Sequence, residues 1–213
     1  MLPAPPEIVC CPKCGQGLLR HSLLSGNTFG AAFYSDGRMV APMLPEFPAF
    51  SRCPSCGAFF WVKDLKGGGG GRRPYPDIEE LTVTETAQFL ESGLVHERGQ
   101  EIFVRIKLWH AFGDRVRDSR SEEENGRCET KLIETPEEQE LWEGNLRRLL
   151  ELQPEEELMI AEIYRQLGQF DEAMEILNAV LADEEKKEKW PSASPMKAHC
   201  EKKDRGVFRF SRD

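Results

Sequence analysis

The chain has 213 residues, of which 39% are hydrophobic and 31% charged, and its formal net charge is −9. Because this length exceeds the usual single domain of about 100 to 150 residues, we expect two domains, and the composition is too apolar for wholesale disorder. Residues 1–66 carry six Lys and Arg against four Asp and Glu, whereas the remainder carries 22 against 33. The acidic remainder would repel phosphate backbones, so any nucleic-acid binding is expected in the first third.

The beginning of the chain, MLPAPPEIVCC, lacks the basic residues, the apolar run and the small-residue cleavage site of a secretory signal. No stretch holds the roughly 18 to 20 apolar residues that span a bilayer, since Pro42, Pro45 and Pro48 interrupt the most hydrophobic region. We therefore predict a cytoplasmic protein without a membrane segment, in a reducing compartment where free cysteines are available to metals.

One short sequence occurs twice near the start, as Cys11-Pro-Lys-Cys14-Gly and Cys53-Pro-Ser-Cys56-Gly. Two intervening residues bring both sulfurs of a pair to one side of a tight turn, within the roughly 2.3 Å reach of a tetrahedral ion, and the glycine tolerates the φ of that turn. Four thiolates leave no open position for water. We predict one structural Zn²⁺ bound by Cys11, Cys14, Cys53 and Cys56.

The other cysteines and the histidines show no further pattern. Three residues separate Cys10 from Cys14, rather than the two within each C-x-x-C pair, which breaks the symmetry between the pairs, and Cys128 and Cys200 are isolated. The four histidines are scattered, and the sequence contains neither G-x-S-x-G nor H-E-x-x-H. We therefore predict that the protein is not an enzyme.

The two cysteine turns resemble the knuckles of zinc ribbons and equally those of rubredoxins, in which the same pair holds iron for electron transfer. This resemblance implies iron as the alternative metal, because all-sulfur tetrahedral sites suit either ion. The gap of 38 residues between Cys14 and Cys53 is long for a rubredoxin and favours zinc.

Short β-prone runs at 28–34 and 59–62 predict a small sheet around the cysteines, and Asp36-Gly37 predicts a hairpin turn between extended segments. Five consecutive glycines at 67–71, followed by Arg-Arg-Pro-Tyr-Pro, predict a flexible linker. We therefore predict a zinc ribbon over 1–66 and a linker over 67–77.

Helical periodicity begins near residue 78. The stripe formed by Val83, Ala87, Leu90 and Leu94 predicts a first helix, and a second is expected over 100–117, with Arg115 and Arg117 beside its carboxyl end. The polar segment 118–130 predicts an exposed loop. Thr135-Pro136 predicts the start of a third helix that reaches about residue 152. A short terminal helix near 196–203 and an apolar tail at 207–210 are expected to follow.

The run of residues 160–177 resembles the tetratricopeptide (TPR) repeat, a helix–turn–helix of about 34 residues. In that family, small residues and aromatics permit close helix packing and a glycine makes the turn. The positions in this chain are Ala161, Tyr164, Gly168, Phe170 and Ala173. The resemblance implies a protein partner, since TPR domains usually bind peptides or proteins. One repeat cannot bury its apolar face alone, so we expect the other helices to complete the domain.

The expected fold is α+β: a small β zinc-ribbon domain and an all-α TPR-like helical-hairpin domain over 78–213. The expected function is that of a non-enzymatic zinc-binding adaptor whose helical domain binds a protein partner. Two alternatives stay open: a nucleic-acid-binding ribbon that uses Arg20, Arg38, Arg52 and Lys63, and a rubredoxin-like iron protein. The segments 25–30 (Ser-Gly-Asn-Thr-Phe-Gly) and 35–37 (Ser-Asp-Gly), ahead of a TPR-like tail, resemble bacterial proteins of unassigned function, which implies no activity.

Overall fold

The computed structural model of this chain describes residues 1–68, 74–123, 132–152 and 155–211. Short antiparallel strands precede six α-helices in these residues, so the predicted α+β class is confirmed. The chain forms two compact units. Unit 1 comprises Met1–Ala31 and Val40–Glu97, and unit 2 comprises Ala32–Met39 and Arg98–Asp213. None of the helices described is long and apolar enough to cross a membrane.

The strands pair two by two as neighbours in small ladders: β1 with β4, β2 with β3, β5 with β6, and β7 with β8. Their bounds are β1 Leu2–Pro3, β2 Glu7–Cys10, β3 Gly17–Arg20, β4 Leu23–Ser25, β5 Ala32–Phe33, β6 Met39–Val40, β7 Phe50–Arg52 and β8 Phe59–Trp61.

Both ends of the predicted linker lie along the β2–β3 hairpin. Gly67 forms an antiparallel bridge with Val9 on one edge. On the other edge the Leu19 N–H donates a hydrogen bond to the Pro76 carbonyl at 2.8 Å. These bonds occupy backbone groups that the edges of a two-stranded hairpin leave unpaired, so the ends of the segment are hydrogen-bonded to the β2–β3 hairpin of unit 1. Residues 69–73 of the predicted linker lie outside the described part of the chain.

The first helix, α1 (Val83–Glu91), belongs to unit 1. Thr82 caps it with a reciprocal capping box. The Phe89 ring stacks on Phe50 with 4.5 Å between centroids and meets the Trp61 ring edge-on at 5.2 Å. The predicted bounds assigned this helix to the domain 78–213, whereas its aromatic contacts join it to the strands. Independent folding of the three predicted segments stays a prediction.

Unit 2 contains the other five helices: α2 Arg98–Glu123, α3 Pro136–Glu151, α4 Glu157–Leu167, α5 Phe170–Ala182 and α6 Trp190–Glu201. Helix α2 runs six residues further than predicted, because the polar residues 118–123 include no glycine or proline to end it. Residues 124–130 of the predicted loop lie outside the described residues. Helix α6 begins earlier than predicted, since Pro191 occupies its first turn, where a missing N–H is harmless.

Helices α4 and α5 form an antiparallel pair that turns at Gly168, whose φ is +81°. This left-handed conformation is one that glycine adopts at little cost. Ala161 and Ala173 are fully buried in the same apolar cluster, while Tyr164 and Phe170 are half-buried against it. The residues chosen from the TPR resemblance therefore lie at this helix contact, and membership of the TPR family stays a prediction.

The Asp36-Gly37 turn joins β5 to β6, with Gly37 at φ +79°. The Asp36 carboxylate has no exposed surface and accepts a hydrogen bond from Arg117 at 2.8 Å. The Asp36 carbonyl lies 3.0 Å from Nε2 of His110, and burial lowers the pKa of that imidazole. The prediction that Arg117 neutralises a helix end is wrong, because α2 continues past it and its guanidinium is an internal counter-ion instead.

Candidate metal centre

The first knuckle is the loop of the β2–β3 hairpin. The strands end at the pair formed by Cys10 and Gly17. Within the loop, the Cys11 N–H donates to the Gln16 carbonyl at 2.9 Å, and the Gly15 N–H donates to the Cys11 carbonyl at 3.0 Å. These bonds fold six residues into a turn that carries both sulfurs.

The second knuckle repeats these bonds at the same positions. The Cys53 N–H donates to the Ala58 carbonyl at 2.9 Å, and the Gly57 N–H donates to the Cys53 carbonyl at 2.8 Å. Gly57 and Gly15 have φ values of +70° and +72°. The left-handed region favours glycine, which explains the residue after the second cysteine of each pair. The repeated sequence therefore builds the same turn twice.

The two knuckles bring the four sulfurs of Cys11, Cys14, Cys53 and Cys56 within 4.8 Å of one another. The Sγ atoms of Cys11 and Cys56 are 3.7 Å apart, as are those of Cys14 and Cys53. Zinc–sulfur bonds of about 2.3 Å at tetrahedral angles separate the sulfurs by about 3.8 Å. A disulfide would require about 2.05 Å. The spacing therefore fits a tetrahedral metal ion, and these four cysteines could hold one.

The four ligand candidates differ in exposure. Cys11 and Cys53, the first cysteine of each knuckle, are buried in an apolar cluster with Val9, Leu18 and Phe60. The second cysteines lie further out, with Cys56 half-buried and Cys14 exposed. One side of the centre therefore lies in the apolar core of unit 1, and the side at Cys14 is exposed to solvent.

The thiols of the centre have unequal acidities. Burial raises the pKa of Cys53 to about 12, and the neighbouring thiols of Cys11 and Cys56 add to this rise. Burial also acts to raise the pKa of Cys11, but backbone amides of Cys14 and Lys13 oppose it and lower that pKa to about 7. Four thiolates repel one another at this distance, so a bound divalent cation is what would keep all four deprotonated.

The remaining cysteines lie outside this cluster where they are described. The Cys10 thiol donates a hydrogen bond to the Gly68 carbonyl at 2.8 Å, on the edge of the hairpin. Cys200 is buried in the apolar cluster of unit 2. Cys128 lies outside the described residues. The group that could hold a metal is therefore the set predicted from spacing, without Cys10.

The cations considered for nucleic-acid binding are engaged within the protein. Arg20 pairs with Glu7 at 2.6 Å, and Arg52 pairs with Glu85 at 3.2 Å. The Lys63 ammonium lies 5.7 Å from the centre of the Trp61 ring. In unit 2, Arg38 is 3.5 Å from an acidic side chain of α2, Asp114. These partners neutralise or occupy the positive charges that a phosphate backbone would need.

No protein-family model, curated protein or solved structure matches this chain. The chemical identity of the centre therefore depends on its own ligands. A site with four sulfurs has no open coordination position, and this is the arrangement of structural zinc centres.

Proposed function

We propose that this protein is a non-enzymatic zinc-binding adaptor, in which one structural Zn²⁺ stabilises unit 1 and unit 2 binds a protein partner. The observation that carries the proposal is the convergence of four sulfurs at 3.7 Å spacing from two knuckles of the same geometry. Structural zinc contributes an apparent binding energy of about 10 to 16 kcal/mol in small domains. Strands of two to four residues bury too little apolar surface to be stable without such a contribution.

The support for a partner comes from unit 2. Its helices form an apolar core around a TPR-like pair, and it is acidic, with 28 Asp and Glu against 21 Lys and Arg. The closed sulfur site supplies no water or substrate position, so it favours a structural role over hydrolysis.

Elemental analysis of the whole protein tests the metal. The protein is expressed with both zinc and iron in excess, and one zinc per chain in a colourless protein is expected. One iron per chain, with the visible absorption of iron–thiolate bonds, would support the rubredoxin-like alternative and contradict the zinc assignment. The same ligands would serve either ion, which is why the measurement has to identify the metal directly.

Affinity capture with the whole zinc-loaded protein tests the adaptor role. A protein retained at stoichiometric amounts after cross-linking, and competed by untagged protein, is expected. Capture of nothing, together with retention of DNA or RNA at low salt, would replace the adaptor by the nucleic-acid alternative. The paired state of Arg20 and Arg52 argues against that outcome.

A further inference from the structure

Unit 2 contains a pocket of about 450 Å³ that the adaptor proposal does not by itself explain. Three parts of the chain line it: the hairpin segment 33–37, the first turns of α4 and α6, and the C-terminal residues next to α6. Large apolar side chains dominate the lining, among them Phe33, Met159, Met196 and Phe210. This volume lies within the roughly 300 to 1,000 Å³ of ligand-binding pockets and accommodates one or two large side chains.

The backbone fixes one wall of this pocket. The Phe210 N–H donates to the Phe33 carbonyl and the Ser35 N–H donates to the Phe208 carbonyl, both at 2.9 Å. The buried Asp36–Arg117 ion pair then ties the turn of the hairpin to α2. A wall held by backbone bonds and an internal ion pair is already ordered, so a ligand need not spend binding energy on ordering it.

The charge at the pocket is negative. Asp36 and Glu156 are the charged side chains among its described lining residues, and Arg117 neutralises Asp36. Glu156 is exposed, and among the described residues its carboxylate has no hydrogen-bond or ion-pair partner. The amino ends of α4 and α6 add partial positive charge, but this effect is roughly half a unit each and fades within a turn. The whole negative charge of the Glu156 carboxylate therefore favours a positively charged ligand group at this pocket.

We propose that this pocket binds an extended segment of a partner protein, which inserts a large apolar side chain and pairs an adjacent Lys or Arg with Glu156. The inference rests on the proposed adaptor function and names the chemistry of the partner. Methionine side chains adapt to different apolar shapes, and aromatic rings such as Phe33 attract a cation held over them. The net charge of −7 on unit 2 adds long-range attraction for a basic segment.

Selection from a phage library of short random peptides on the whole zinc-loaded protein tests this chemistry. A parallel selection uses Ser192→Trp, which places an indole in the pocket without removing an apolar contact. Peptides recovered by the wild type and not by this variant are expected to carry an aromatic or large aliphatic residue beside Lys or Arg. Enrichment of acidic peptides, of apolar peptides without a cation, or of the same peptides by both proteins would overturn the proposal.

Affinity measurements on a recovered peptide test the role of Glu156. Fluorescence anisotropy at about 0.15 M salt should show that Glu156→Lys binds the peptide at least about fivefold more weakly, because the ion pair is lost and charge reversal adds repulsion. The matched control is Glu175→Lys, an equal charge change on an exposed residue of α5 outside the pocket lining. Equal weakening by both variants would show a general charge effect and overturn the pairing with Glu156.

Folding and the adaptor role are measured separately. Helical circular dichroism and zinc content should be unchanged in Ser192→Trp and Glu156→Lys. If one variant loses helical signal or zinc, the variant that keeps both is used for the test. If affinity capture retains a partner equally well with wild type and both variants, the adaptor function stands and the pocket is not its binding site. If the wild type captures no partner, the adaptor proposal itself fails.

Discussion

The apolar cores of the two units differ in composition. In unit 1 two of the four candidate ligands, Cys11 and Cys53, are themselves members of the apolar cluster. In unit 2 the apolar cluster around α4, α5 and α6 contains side chains such as Ala173, Leu177 and Met196, and it includes none of the four cysteines that could hold a metal. Short strands cannot supply the apolar area that helix pairs supply, so a metal would replace part of the core in one unit and not in the other.

The largest expected effect is loss of the metal centre. Cys53→Ser should remove the metal and unfold unit 1, because three thiolates and a hydroxyl do not replace a site worth about 10 to 16 kcal/mol. We expect loss of bound zinc and a shift in the total tryptophan emission, to which Trp61 contributes in unit 1, while helical circular dichroism is largely retained. Cys10→Ser is the matched control and should keep both. A loss of helical signal together with the metal would show that the two units unfold as one.

The second effect concerns the buried charge of unit 2. Asp36→Asn removes the buried carboxylate from the Arg117 guanidinium, which is only 4% exposed, and leaves the more exposed Asp114 as its remaining acidic partner. Removal of one partner of a buried pair costs about 3 to 5 kcal/mol, and the remaining contact with Asp114 should hold the cost near the lower end, which urea unfolding of the helical signal would measure. Glu184→Ala breaks a surface pair with Lys187 and should cost less than about 1 kcal/mol. If both variants lost the same free energy of unfolding, burial of the Asp36–Arg117 pair would not explain its contribution to stability.

The third effect tests the contact between α4 and α5. Ala173→Glu forces a carboxylate into a position with no exposed surface and should destabilise unit 2 by about 3 kcal/mol. Ala179→Glu on the exposed face of the same helix is the control, and we expect a change within about 0.5 kcal/mol. An unchanged melting temperature in Ala173→Glu would remove the assignment of this helix pair as a packed core.

The smallest effect is a pH dependence. Hydrogen bonds from Arg115 lower the pKa of Glu138 to about 2. A lowered folded-state pKa stabilises the protein above the unfolded value near 4.5, and this stabilisation is lost as the pH falls towards 2. After allowance for solvent screening, Glu138→Gln should cost about 1 to 2 kcal/mol at neutral pH.

The difference between Glu138→Gln and wild type should therefore shrink between about pH 5 and pH 2.5 in urea unfolding. Glu140→Gln, an exposed neighbour on α3, should show no such convergence. A constant difference over this range would mean that Glu138 acts through packing rather than charge.

The sequence predicts local features of this fold better than distant contacts. The knuckles, the cap at Thr82 and the turn at Gly168 each follow from residues within a few positions of one another. Repetition of the C-P-x-C-G sequence was sufficient to choose four cysteines out of seven. Such features depend on backbone geometry that the local residues dictate.

Contacts between distant residues were not predictable in the same way. Asp36 and Arg117 are 81 positions apart, and their local sequence suggested only a turn and a helix end. The membership of α1 in unit 1 depends on the aromatic contacts of Phe89, which apolar periodicity cannot assign to a particular partner. The pocket in unit 2 likewise needs a hairpin, two helices and the C-terminal segment at once.

Residues 32–39 belong to unit 2, although the chain on both sides of them belongs to unit 1. The polypeptide therefore passes between the units three times, and no single cut separates them. A fragment that began near residue 78 would lose the buried Asp36 carboxylate that pairs with Arg117, and it would lose the hairpin wall of the pocket. Exchange of either unit by recombination at one boundary would face the same loss, so the two parts of this chain are expected to be inherited together.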